Sequence, residues 1–328
     1  MTGRDMNLAP AEPIRPYLAV MLDVGDGHWL YVEECGRPDG IPVLFLHGGP
    51  GSGAQHNHRS LFDPTQFRAV LFDQRGAGRS HPYLSREANT TQHQIADIEA
   101  IRDYLGIDRW IVVGGSWGST LGLAYAQSHP ERVAGLVLRA VFLGTNAEVV
   151  WAFVDGPRRF RPDLFAAFVA ELPGDERRDP LGSYVTRLCD PDPAIHGPAA
   201  HVWHAYERAL SELEPGSSLI GSPPPDGARL PPTPIMEAHY IANQFFLAPD
   251  QLLENAWRLG GIPGAIVQGR YDLLCPPAAA FSLARAWPSA RLIFAERAGH
   301  AMSEPGVMDL LRQSLAEVAA ATGLRPAR

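Results

Sequence analysis

Lysine is absent from the 328 residues, so all 28 basic side chains are arginine. That removes the phosphate-gripping lysine a P-loop needs. Cysteine is nearly absent too. Cys35, Cys189 and Cys275 are odd in number, far apart and without metal-ligand spacing, so free thiols in a reducing compartment are expected. No stretch approaches 18 uninterrupted apolar residues, and the opening MTGRDMNLAPAEPIRPYL lacks the apolar core of a secretion signal. A soluble, cytoplasmic protein is the expectation. A formal net charge of -8 argues against nucleic acid or an anionic membrane as partner.

What is present has globular proportions, 45% hydrophobic and 20% charged, which excludes global disorder. Residues 20–34 read as two strands joined by a hairpin turn at Gly25-Asp26-Gly27. Short apolar runs bounded by turn residues follow at Val43–Leu46, Ala69–Phe72, Trp110–Val113 and Leu136–Leu138. Runs of that length suit strands buried on both faces of a largely parallel sheet. Between them, Ile95, Ile98, Ile101 and Leu105 recur at helical spacing after Asn89 and Thr90, two candidate N-caps. Strands are expected again at Gly264–Gln268 and Arg291–Ala295, with helices at Ala278–Trp287 and about 306–322. Residues 144–255 carry helical signals and many prolines, and 221–234 reads as a loop. The expected organisation is an α/β core formed by 1–143 and 256–328, interrupted by a helical cap at 144–255.

The run WIVVGGSWGSTLGLAYA places Gly114-Gly115-Ser116-Trp117-Gly118 between a strand and a helix. This is the setting in which G-x-S-x-G forms a nucleophile elbow, the serine exposed on a strained turn and flanked by glycines that avoid collisions. The expected architecture is therefore the α/β-hydrolase fold. Serine is a weak nucleophile and needs an oriented base. Asp272 follows one late strand and His300 the next, the chain order this fold requires. The glycine run His47-Gly48-Gly49-Pro50-Gly51 follows another strand, and the backbone N–H groups of Gly49 and Trp117 are the expected oxyanion donors. Asp73–Ser80 reads as scaffold, with glycines for tight turns and arginines for loop hydrogen bonds.

The chain resembles the proline iminopeptidases, serine exopeptidases among the α/β hydrolases. The likeness is carried by HGGPGSG at 47–53, DQRGAGRS at 73–80, GGSWGSTLGLAYAQSHPERV at 114–133, GRYDLLCP at 269–276 and AGHAMSEPG at 298–306. It implies Ser116, Asp272 and His300 as the triad. It also implies that two cap glutamates, Glu207 in AHVWHAYERAL and Glu237 in MEAHYIANQF, bind the substrate's free amine. Arg139 in VLRAVFLG matches a family arginine and is by that likeness a substrate-binding candidate, and Phe142 and Cys275 are apolar pocket candidates. Tyr206, Ala238, Ile241 and Ala301 depart from the family's usual residues. An esterase or amidase acting on a small metabolite through the same triad is the alternative. The resemblance implies a peptide or small-molecule substrate and neither a metal nor an organic cofactor.

Overall fold

The computed structural model describes residues 14–214, 220 and 229–326. Eight strands form one sheet: β1 (Pro16–Asp23), β2 (Trp29–Gly36), β3 (Ile41–Leu46), β4 (Phe67–Phe72), β5 (Trp110–Ser116), β6 (Val133–Val141), β7 (Gly264–Gly269) and β8 (Ala290–Ala295). Their spatial order is β1-β2-β4-β3-β5-β6-β7-β8. β2 runs antiparallel to both neighbours, and every pairing from β4 to β8 is parallel. Each sequence-expected strand is found; β1 starts four residues earlier, the turn between β1 and β2 widens to 24–28, and the later strands gain one to three residues at one or both ends.

Burial on both faces explains the uninterrupted apolar runs. Along β3, Leu44 and Leu46 join one core, and Val43 and Phe45 join the other. The first core is closed by α1 (Thr91–Tyr104), α2 (Trp117–Ser128) and α10 (Pro277–Ala286), through Ile98, Leu121 and Leu283 among others. The second is closed by α11 (Val307–Thr322), through Leu311, Leu315 and Val318. Thr90, not Asn89, caps α1, its hydroxyl accepting from the His93 N–H.

Between β6 and β7 every described element is helical: α3 (Asn146–Val150), α4 (Gly156–Phe160), α5 (Pro162–Ala170), α6 (Pro180–Cys189), α7 (Pro193–Ser211), α8 (Pro232–Ala242) and α9 (Gln251–Glu254), with short 3₁₀ turns. A π-helical turn, Trp151–Asp155, joins α3 to α4. The expected loop at 221–234 needs correction at its end, because α8 begins at Pro232. Pro232 occupies the first helical turn, where a proline's fixed φ suits the helix and its missing N–H is no loss. Residues 229–231 are irregular, as expected of the loop, and 221–228 lie outside the described residues.

Candidate active site

In open parallel sheets the carboxyl ends of the strands are where ligands bind, and here that edge gathers the expected residues. β3 runs into the glycine loop at 47–53, β5 ends at Ser116, β6 leads to Phe142, β7 to Asp272 and β8 to His300.

Ser116 has φ 57° and ψ -127°, a conformation that disfavours any residue with a Cβ and costs on the order of 1–3 kcal/mol. The glycines around it make the turn possible. A Cβ on Gly114 would strike the carbonyl of Gly118, and one on Gly118 would strike the carbonyl of Leu46. On Gly115 it would lie 2.6 Å from the guanidinium of Arg139. The turn is tied from below by Ser119, whose hydroxyl donates to the Ser116 carbonyl (2.7 Å) and accepts from the Phe142 N–H (3.0 Å).

Asp272 and His300 are engaged with each other. His300 Nδ1 lies 3.0 Å from both carboxylate oxygens of Asp272. The carboxylate is itself fixed by the N–H groups of Leu274 (3.1 Å) and Cys275 (2.8 Å). The His300 loop is clamped as well. The N–H groups of His300 and Ala301 both donate to the carbonyl of Ser211, the last residue of α7, and Arg139 donates to the His300 carbonyl. Among the described residues no hydrogen bond joins the Ser116 hydroxyl to the imidazole; that hydroxyl instead approaches the thiol of Cys275. Burial pushes this thiol well above the usual range, with Asp272 and Glu148 adding to the effect.

The glycine loop packs on the elbow through a buried chain of hydrogen bonds. His47 Nδ1 donates to the Gly48 carbonyl (2.9 Å), and its Nε2 accepts from the Gln74 N–H (3.0 Å). The Gln74 side chain donates to the His47 carbonyl and accepts from Trp117 Nε1 (2.8 Å). Burial holds His47 below the usual histidine range, and with both ring nitrogens engaged it is a neutral strut. Gly49, at φ +106°, adopts a backbone conformation that favours glycine, and its N–H donates to no protein acceptor among the described residues.

A cavity opens above Ser116. Its walls include Phe142, Phe153, Ile241, Phe245 and Leu274, and Glu207 and Glu237 also line it. Glu237 is 6% exposed, and its Oε2 accepts from Trp203 Nε1 at 2.6 Å. The two carboxyl groups are within hydrogen-bond contact of each other. Burial raises both, and the mutual repulsion pushes Glu237 well above the usual carboxylate range. No arginine or histidine lines the cavity among the described residues.

A family model described as the alpha/beta hydrolase fold matches residues 41–192. A probable proline iminopeptidase of Leptolyngbya boryana is 44% identical over 304 residues, covering 91% of this chain and 93% of that protein. A proline iminopeptidase of Xylella fastidiosa is 44% identical over 298 residues, covering 91% and 95%. This chain belongs to the proline iminopeptidase family. Among solved structures, the fold matches the 2-hydroxy-6-oxo-6-phenylhexa-2,4-dienoate hydrolase of Rhodococcus, with TM-score 0.59, 20% identity and coverage of 94% and 99%. That likeness shows the fold alone.

With the family known, the placement of each expected residue can be stated. Ser116, Phe142, Glu207, Glu237, Cys275 and Gly49 all line the one cavity. Arg139 does not. The sequence likeness implied a substrate-binding role for it, but its side chain passes behind Gly115 into a separate cavity beside Phe45, His58 and Met302, and bonds the His300 main chain. Along β6, Leu136 and Leu138 face the first core and Val137 the second, so Arg139, two residues beyond Val137, points to the α11 side of the sheet. Val149, Ala152, Phe153, Phe245 and Leu274 line the cavity without having been singled out in the sequence. No signal separates such apolar wall positions from ordinary core. The role of Asn89 was also missed. Its side chain accepts from the Tyr240 hydroxyl (2.9 Å) and its carbonyl meets His239 Nε2 (2.8 Å), which fastens α8 to the core. The arginines of 73–80 do serve the scaffold: Arg75 pairs with buried Asp97 (2.7 Å) and Arg79 with Asp73 (2.7 Å).

Proposed function

We propose that this chain is a prolyl aminopeptidase, a serine exopeptidase that releases an N-terminal proline, or a similar small residue, through an acyl-enzyme. One observation carries the reading. Half-buried Glu207 and buried Glu237 sit together in a largely apolar cavity that also contains Ser116, and among the described residues no arginine or histidine lines it. Buried carboxylates need hydrogen-bonded counter-charge. The free ammonium of a peptide's first residue supplies that charge and sets its carbonyl beside the serine. The names of the Leptolyngbya and Xylella relatives support the same substrate class.

In the proposed reaction His300 takes the Ser116 proton as the serine attacks that first carbonyl. Asp272, bonded to Nδ1, keeps Nε2 free as the base. Catalytic hydrogen bonds are often long before substrate arrives, and the Ser116 hydroxyl closes on the imidazole in the Michaelis complex. The N–H groups of Gly49 and Trp117 receive the oxyanion. His300 then protonates the leaving amine and activates the water that frees the amino acid. Phe142 and Cys275 pack against the bound ring. Arg139 acts on His300 through the main chain, without touching substrate. Residues 144–255 serve as the inserted cap, closing one residue's worth of space over a core formed by 1–143 and 256–328.

Paired prolyl anilides, one with a free amine and one N-acetylated, test the reading. The free amine is expected to be cleaved at least about 100-fold better, since a buried unpaired charge costs about 3–5 kcal/mol. Equal turnover of the two, together with rapid cleavage of a simple nitrophenyl ester, would instead favour an esterase or amidase.

A further inference from the structure

We propose that Glu207 and Glu237 share one proton in the ligand-free enzyme, and that an N-terminal ammonium binds by displacing this proton to solvent. The inference rests on the aminopeptidase reading and specifies how its amine site works. Two ionised carboxylates in contact cannot both persist in an apolar cavity without a cation between them. Among the described residues their surroundings offer none. On α7, Trp203 donates one neutral N–H to Glu237, while Arg208 is directed outward beside Glu212. Behind Trp203, the hydroxyls of Tyr184 and Tyr206 are spent on the carbonyls of Phe168 and Phe153. On α8, the Tyr240 hydroxyl is spent on Asn89.

The catalytic side presents Ser116 and the Cys275 thiol, with His300, held at Nδ1 by Asp272, outside the cavity lining. The pair therefore completes its hydrogen bonding internally, one oxygen carrying a proton toward the other. The proton belongs to the pair and not to either residue. A secondary or primary ammonium brings two or three N–H donors and a full positive charge. It satisfies both carboxylates at once, and the shared proton leaves. Protons balance: a singly charged pair plus a cation gives a doubly charged pair holding that cation, with one proton released.

L-Prolinamide binding to Ser116→Ala protein, which cannot turn it over, reads this directly by titration calorimetry between about pH 6 and 7.5, below the ~8 of an ordinary α-amine. Release of one proton makes affinity rise about tenfold per pH unit. The same series is run with Ser116→Ala/Glu237→Gln, in which no proton can be shared between two carboxylates. The expected result is a pH slope steeper by about tenfold per unit when Glu237 is present. At the upper pH, heats measured in two buffers of unlike ionisation enthalpy should report one proton released per ligand. Equal slopes in the two proteins, or heats independent of buffer, would overturn the shared proton while leaving the amine site intact. If prolinamide binds no better than its N-acetyl form, the aminopeptidase reading fails and this inference with it.

Discussion

At the scale of single residues, the chemistry leaves few choices. Oγ of Ser116 is the proposed attacking atom, so Ser116→Ala should lower kcat by about 10⁴-fold or more and abolish labelling by a fluorophosphonate, with folding unchanged by circular dichroism. Asp272→Asn should lower kcat by a comparable factor, because Nδ1 would lose its acceptor and the wrong tautomer would be free to form. Retention of more than a tenth of the activity in either variant would remove the triad. These residues were legible because a nucleophile elbow and two post-strand positions constrain residue type tightly. The cavity walls were not. Phe153 and Phe245 obey the same burial rule as any core phenylalanine, and nothing in their sequence neighbourhood marks them as facing an open space. Arg139 could be found by likeness, and strand alternation puts it on the Val137 face of β6, but only the assembled sheet shows that this face lies away from the cavity.

At the scale of elements, strands were readable because parallel strands buried on both faces become plain apolar runs, bounded by turns. Helix starts among prolines were harder. The same residue that breaks a helix interior opens one at its first turn, and at Pro232 the second behaviour holds. The anchoring of α8 illustrates what local reading misses. Asn89 looked like a cap, and its side chain instead bonds a helix about 150 positions away. Its amide also donates to the carbonyls of Arg75 and Ser85. Replacing Asn89 by Ala should loosen α8, and Glu237 with it. KM for free-amine substrates is expected to rise several-fold to about tenfold, and turnover of a simple ester should change little. Steady-state kinetics on both substrates decide this, and an equal loss on each would assign Asn89 to general stability.

At the scale of the molecule, the order of chain elements was visible but the order of strands in space was not. That β3 lies between β4 and β5 follows from crossover packing, and no single segment records it. Stability is also a whole-molecule property here, resting partly on buried charge. Arg75 reaches both oxygens of Asp97, at 2.7 and 2.8 Å, in a site closed to water. Arg75→Met should cost about 3–5 kcal/mol by stranding the carboxylate, while Arg75→Met with Asp97→Leu should recover much of it. Denaturant unfolding measures both.

The histidines set an acid limit. Burial, with His47 and Arg139 adding, pushes His58 down to about 4, against about 6.5 in the unfolded chain. Between those values the unfolded chain binds the extra proton, so stability must fall as pH drops from about 6.5 toward 4. Burial lowers His28, His47 and His239 in the same direction. The thermal midpoint should decline steadily over that window, and His58→Leu should flatten part of the slope.

The wide turn at Trp151–Asp155 has a consequence for how this enzyme could be altered. A π turn holds one more residue than an α turn, so excising one residue there would tighten it into an α turn and re-aim the side chains within it, while the indole of Trp151 stays pinned to the Leu273 carbonyl at 3.0 Å. Phe153 would swing off its stacking partner Trp203, now 4.2 Å away ring to ring. The chamber would thereby acquire a different ceiling through a change of chain length alone, with every side chain of the reactive machinery left as it is.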